Sequence, residues 1–413
     1  MRINESMWAK QVNKIAQYTF IFFAFCIPMS LALENTGFVL TLLFALLSGL
    51  WWHYRKQILL NPFSVLLLCL FLLFVIGLFY SESSHSWRFT AFKKESEIIA
   101  ILFMLPVISF EKNFLLKVLK GYVLGCIIVA LISWLGVFHL LPHIEWFNHE
   151  PPYYIFFRIY AALFMAFGAY LTATLLKLNW NRHTKWLWLF VFVLISYNVL
   201  WQSVSRTGYI VYVILAIVFC LQYYSRKAKI LSIIAIIIAV ILTLALSAHF
   251  REGITRIVKN EARALAGHVK TSTGIRYEYL RNSWILWQQK PILGHGTGGF
   301  RAADVKIKGI TAGGSVTTTA HAQVTPENTF YRILVEHGIV GLIILILLWG
   351  WQLIKAFKMN ELLIRNLAVA FMLTMIFASI SQDLLIDESP RLFYILFSTL
   401  LYAPIIMRNN RYS

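Results

Sequence analysis

The sequence predicts an all-α, polytopic membrane protein with about twelve transmembrane helices and one large extramembrane loop of short helices. Three observations predict it. Of 413 residues, 59% are hydrophobic and 13% are charged, against roughly half apolar and a quarter charged in a soluble domain. Mean hydropathy is +0.69. The apolar residues also gather in runs long enough for membrane spans, since a helix needs roughly 20 residues to cross ~30 Å of hydrocarbon. A water-soluble enzyme, a disordered chain and a disulfide scaffold are excluded.

The runs lie near 15–33, 37–52, 63–80, 96–110, 117–138, 154–177, 185–201, 207–224, 229–248, 334–355, 363–381 and 391–407, the second and fourth being the shortest. The first is too long for a signal peptide and has no small-residue cleavage site after it, so it reads as a span. Cys26, Cys69, Cys126 and Cys220 all sit inside apolar runs, without a CxxC or Cys/His cluster. They read as packed or lipid-facing thiols.

Lys and Arg in short loops set the orientation. Every second loop is basic: Lys10 and Lys14, Arg55 and Lys56, Lys112 to Lys120, Lys177 to Lys185, Arg226 to Lys229, Lys355 to Arg365, and Arg408. That side is expected to be cytoplasmic, with both termini inside. Residues 1–248 then form an N-terminal membrane domain of about nine spans, 249–333 an outer loop domain, and 334–413 a C-terminal membrane domain of about three spans. The short stretch after the last span leaves no expected C-terminal recognition domain.

Cytoplasmic bias explains about half of the positive charge. The chain has 37 Lys+Arg against 18 Asp+Glu, a formal net charge of +19. The remaining cations fall outside: Arg88, Lys93 and Lys94 in one short loop, Arg158, Arg206 and Arg391 near span ends, and twelve Lys or Arg in the 249–333 loop. This excess suggests that the outer face meets an anion.

Within the outer loop, residues 252–270 and 275–289 carry helical patterns, the second with Tyr277, Leu280, Trp284 and Trp287 at spacings of three and four. Two amphipathic helices on the membrane face would fit, with Pro291 ending the second. A glycine-rich turn follows (PILGHGTGGF, 291–300), then a polar loop over 311–325. Thr325-Pro326-Glu327 suits a helix start, with Thr325 as N-cap, Pro326 first and Glu327 in the first turn. Gly338 and Gly341 either admit a neighbouring element or mark helix packing.

Ionisable residues near a membrane are candidates for function. Arg206, in QSVSRTGY, is either a fixed cation that binds phosphate in a forked geometry or a side chain snorkelling from a helix end. Arg276, in TGIRYEY, begins a helix, where a cation is slightly unfavourable; an anion partner or plain exposure accounts for it. Arg281 is a weaker candidate. Arg332, with Glu336 four residues on, reads as an ordinary helix pair. Asp383 and Asp387 read as a solvated turn. His321 and Glu327 are candidates for a general base, against a solvated loop histidine and a dipole-complementing glutamate. There is no HExxH, GxSxG, Walker loop or cysteine pair, so neither metal nor cofactor is expected.

Three segments resemble the O-antigen ligase/polymerase superfamily of bacterial envelope proteins, in family order: SRTGYIVYVI (205–214), GIRYEYLRNSWILWQQKPILGHGTGGF (274–300) and PENTFYRILVEHGIVGL (326–342). The resemblance implies a metal-independent glycosyltransferase on the periplasmic face of the inner membrane. It would move a glycan from undecaprenyl diphosphate to the lipid A-core oligosaccharide. Carried over, it implies that Arg206 and Arg276 grip the diphosphate, with Lys94 (or Lys93) and Arg281 as further cations and Asn328 supporting. The family's His-Asn pair is replaced here by Glu327-Asn328, so the base falls to Glu327 or His321. The replacement also adds weight to an alternative, an O-antigen polymerase that extends a lipid-linked glycan. A flippase or transporter of lipid-linked sugar is a second alternative. It would need internal repeats and charges deep in the spans; the sequence has no convincing repeat, and the interiors of its spans are nearly free of charge. The expected partners are the lipid-linked donor, the glycolipid acceptor and membrane lipid, not nucleic acid.

Overall fold

The computed structural model describes residues 7–108, 112–138, 140, 158–178, 182–203, 205–246, 255, 272–311 and 325–407. Among these every regular element is helical: α1 (Met7–Cys26), α2 (Leu31–Leu47), α3 (Leu50–Leu59), α4 (Pro62–Tyr80), α5 (His85–Ser96), α6 (Ala100–Met104), α7 (Lys112–Val137), α8 (Arg158–Leu178), α9 (Arg182–Tyr197), α10 (Arg206–Tyr223), α11 (Arg226–Leu246), α12 (Ser272–Gln289), α13 (Gly299–Thr311), α14 (Thr329–Phe357), α15 (Leu362–Ser379) and α16 (Glu388–Ile406).

Eight of the described helices are long and apolar enough to cross a membrane: α4, α7, α8, α9 with its continuation to Gln202, α10, α14, α15 and α16. The bent pair α2–α3 would make nine. The early chain departs from the expected spans in three places. The 15–33 run breaks after Cys26, at Pro28, and Ser30 caps the new helix α2 by accepting from Leu33 N at 3.3 Å. The 37–52 run breaks at Gly49 (φ 65°), where α2 and α3 meet at 97°. The 96–110 run is the tail of a longer helical stretch that starts at α5 and passes through two 3₁₀ turns, Glu97–Ile99 and Leu105–Val107, on either side of α6. Pro106, which lacks an N–H, lies in the second turn. α11 coincides with the ninth expected run. Apart from residue 255, the helix expected over 252–270 lies outside the described residues, as does the polar loop expected over 311–325 apart from its two end residues.

One continuous apolar core joins α1, α2, α4, α7, α8, α10, α14, α15 and α16. At its centre Tyr122, Phe167, Phe371, Phe393 and Phe397 interlock, with Phe167 and Phe397 edge to face at 4.8 Å between ring centroids. Such packing matters where lipid tails are as apolar as the side chains they replace. Cys26, Cys126 and Cys220 are buried free thiols and Cys69 is an exposed one, as their apolar setting predicts.

The glycine-rich turn is wedged between two helices. On one side it meets the end of α4: Thr297 Oγ1 donates to the Phe74 carbonyl at 2.7 Å, Thr297 N to Gly77 at 3.2 Å, and Ser81 Oγ to Thr297 O at 2.8 Å. Lys290 and Lys306 both grip Glu82 (2.5 and 2.7 Å) and hold its carboxyl down at about 2. On the other side it meets a break in α14. Gly338 has φ 63° and ψ −163°, so the helix is two helices joined at a kink. There the backbone bonds to the turn instead of to itself: His295 N to Val335 O (2.9 Å), Gly296 N to Glu336 O (2.8 Å) and Ile339 N to Pro291 O (2.9 Å). Of the two readings of Gly338, close approach of another element is the one realised.

A Cβ at Gly338 would collide with the Ile292 carbonyl, and a side chain at that φ is strained besides. Gly338→Ala is therefore expected to cost more than ~1 kcal/mol, read as a fall in the melting temperature of the detergent-purified protein. An unchanged melting temperature would show that the kink is not needed.

Residues 272–311 include one helix beyond those expected in this stretch, α13. It packs on α12 through Asn282 Nδ2–Asp304 Oδ1 (2.9 Å) and on α14 through Phe300, which is fully buried. α12 ends just before Pro291, as expected. The buried residues of α12 include Tyr279, Asn282, Ser283 and Leu286, whereas Tyr277 and Trp284 face outward, 67% and 49% exposed.

Candidate functional site

The site is built around loop 380–387, between α15 and α16. The start of α14 clamps this loop. Asn328 caps α14, accepting from Tyr331 N at 3.0 Å, and its amide donates to the Ile380 carbonyl at 2.8 Å. Thr329 Oγ1 donates to Gln382 O (3.1 Å) and accepts from Leu384 N (2.9 Å). The cap is therefore Asn328, not Thr325. Glu327 lies outside the helix, so it does not serve as a first-turn complement to the dipole. Thr325 Oγ1 instead accepts from Glu327 N at 3.4 Å.

Glu327 has φ 50°, alone among the described non-glycine residues in having a positive φ. Strained backbone of this kind gathers at functional sites. Its carboxylate receives Arg276 Nε at 2.7 Å, and both side chains stay about one-third exposed (30% and 36%). A charge-assisted pair this open to solvent is available to a ligand.

Arg206 opens α10. Ser205 caps that helix, accepting from Gly208 N at 3.2 Å, and Thr207 bonds Ser381 across 2.8 Å. A Cβ at Gly208 would run into Ala162, so the glycine lets α10 lie against α8. The SRTG motif thus sets the half-buried Arg206 at the edge of the loop that Asn328 clamps from another side.

Asp387 is the loop's last residue. It accepts a short hydrogen bond from Tyr160 on α8, and Lys94 on α5 is within electrostatic reach. Burial pushes the Asp387 carboxyl up to about 6, and Asp383 adds to the rise; Tyr160 and Lys94 oppose it. Tyr160 in turn feels Glu327 as well as Asp387. Lys94, Tyr160, Asp387, Glu327 and Arg276 therefore belong to one neighbourhood. Arg281 does not join it: it is exposed on α12, and five residues turn it roughly 140° away from Arg276. His321 lies outside the described residues.

Beneath this surface lies a charge cluster that the sequence reading did not foresee. Arg332, expected to form an ordinary helix pair with Glu336, forms it but is fully buried. It meets Glu336 at 3.0 Å, Asp383 at 2.5 Å and, more closely still, Glu95. Asp383 is 1% exposed, so it is not part of a solvated turn. Arg391, also buried, donates to Glu97 at 2.8 Å and to the carbonyl of Ile386 at 2.7 Å, which fixes the loop from below. Glu95 lies 237 residues from Arg332 and Glu97 lies 294 from Arg391, so no local motif could announce those pairs. The one available signal was a crowd of acids in one stretch of the chain: Glu82, Glu95 and Glu97.

A cavity of about 800 Å³ opens between α8, α9, α10 and α11, lined by Tyr170, Phe192, Tyr209, Tyr212 and Phe219, with Lys177 and Lys185 also on its wall. Tyr209 stands one turn from Arg206.

Residues 190–346 match the protein-family model described as O-antigen ligase, a match over less than half of the chain. A search of curated proteins returns no significant match.

Proposed function

We propose that the chain is a membrane glycosyltransferase of the ligase type, a reading supported by the match of residues 190–346 to the O-antigen ligase family model. In this reading it moves a glycan from undecaprenyl diphosphate to the lipid A-core oligosaccharide, at the periplasmic face of the inner membrane and with both termini cytoplasmic. The observation that carries the reading is the Arg276–Glu327 pair beside the loop that Arg206 borders.

Undecaprenyl diphosphate is already a good leaving group. The protein has to neutralise its charge and position an acceptor hydroxyl. The donor's diphosphate draws Arg276 away from Glu327 and onto its own oxygens, with Arg206 and Lys94 as further cations. Glu327 is then freed to accept the proton of the acceptor hydroxyl as that oxygen attacks the anomeric carbon. The bond to the diphosphate breaks on the opposite face, so the product is inverted. The cavity that Tyr209 lines, one turn from Arg206, is mostly apolar, as a polyprenyl tail requires. No step uses a metal. His321 is the alternative base.

Glu327→Gln is expected to lower transfer by ~10²–10⁴, and the pH–rate profiles of Glu327→Gln and His321→Ala should differ. Full activity in both would leave neither as the base. Asp387 carries a separate pH expectation. Its raised carboxyl takes up a proton as pH falls through about 6, which removes the negative charge facing Lys94. Transfer should therefore fall below that pH. In Asp387→Asn the acid limb should be missing; an identical limb would exclude Asp387 as its source.

A polymerase, which would use a lipid-linked acceptor, is the second reading. It is favoured by Glu327 standing where the superfamily commonly has histidine. The glycan profile of a deletion strain separates the two. Lipid-linked polymer that fails to reach lipid A-core indicates a ligase, and a single capped repeat indicates a polymerase.

A further inference from the structure

We propose that Glu95, Glu336 and His337 form a binding site for a divalent cation of the Mn²⁺ or Zn²⁺ type, buried behind the transfer site and out of reach of substrate. One oxygen from each glutamate and one ring nitrogen of His337 lie within 4.8 Å of one another, and all three residues are buried. They come from two elements: α5 supplies Glu95, and the outer half of α14, just before the Gly338 kink, supplies Glu336 and His337.

The acidic residues alone would not point to a ligand. His337 does. It is 0% exposed, and neither of its ring nitrogens has a hydrogen-bond partner among the described residues. Leaving a buried polar group bare is costly, and a neutral imidazole is the commonest protein ligand to metals. Its ring is held in place by Phe74 at 5.0 Å between centroids. Glu95 Oε2 is buried without a partner as well.

Charge points the same way. The single guanidinium of Arg332 faces Glu95, Glu336 and Asp383. Pairing it with Asp383 leaves two carboxylates uncompensated in the interior, where unpaired charge is costly. One dication restores neutrality. Two protons would also do so, but they would leave both nitrogens of His337 bare, whereas a metal uses one. Two carboxylates and an imidazole suit Mn²⁺ or Zn²⁺ better than metals that prefer thiolate. A cation here would tie α5 to α14 beside the kink into which the glycine turn is wedged.

The test uses the full chain in detergent, dialysed against EDTA and then titrated with MnCl₂ or ZnCl₂. Bound metal is measured by mass spectrometry and the melting temperature is followed. The expected result is one ion per chain and a melting temperature that rises on reloading, with both effects lost in the near-isosteric Glu95→Gln and in His337→Leu. Absence of stoichiometric binding by the wild-type chain would overturn the proposal, whether or not the variants fold. Full metal content in both variants would overturn it equally.

Discussion

Arg276→Ala is expected to cut glycan transfer by ~10²–10³, the usual effect of removing one group that stabilises developing charge, while the protein still inserts and folds. The two halves of this expectation have separate grounds. Arg276 and Glu327 are about one-third exposed, and an ion pair that open contributes only ~0–1 kcal/mol to stability. α12 remains anchored without it, through Asn282 to Asp304 and through buried Leu286. The loss should therefore fall on the reaction. Arg276→Lys should recover only part of it, because an ammonium restores the charge but not the planar fork that matches two phosphate oxygens. Normal transfer by a well-expressed Arg276→Ala protein would remove this residue from the site.

Arg332→Ala should do the opposite, destroying the fold before activity can be asked about. It would leave Glu95, Glu336 and Asp383 facing one another in the interior. Breaking a buried pair costs ~3–5 kcal/mol, a large part of the ~5–15 kcal/mol that holds a typical protein folded. The readout is the yield of monodisperse protein on size exclusion in detergent. A combined Arg332→Met, Glu95→Gln, Glu336→Gln, Asp383→Asn variant removes the charges together and should recover folded protein. A wild-type yield and melting temperature for Arg332→Ala would refute the view that this arginine balances the cluster.

The all-helical membrane architecture was legible because it rests on composition and on runs of apolar residues, both of which are local properties. The breaks in the early spans were less so. A proline at 28 and a glycine at 49 interrupt runs whose average hydropathy barely registers them, yet one glycine in the left-handed region is enough to bend α2 against α3 by 97°. Arg206, Arg276 and Glu327 were legible as candidates, through their motifs and the excess of outer cations. Their arrangement around loop 380–387 was not, since it depends on contacts such as Asn328 to Ile380 and Thr207 to Ser381 that span 52 and 174 residues. The greatest departure was Arg332. A Glu four residues on reads as a surface pair, and only the fold reveals that Glu95 and Asp383 close around the same guanidinium.

The most direct test of the central claim is reconstitution. Purified protein is mixed with undecaprenyl-diphosphate-linked glycan and lipid A-core oligosaccharide in detergent, without added divalent metal, and the products are separated by gel and mass spectrometry. Glycan joined to lipid A-core with an inverted anomeric centre, together with free undecaprenyl diphosphate, is the predicted result. Transfer solely onto a second lipid-linked glycan, or none with either acceptor from wild-type protein shown to be folded, would contradict it.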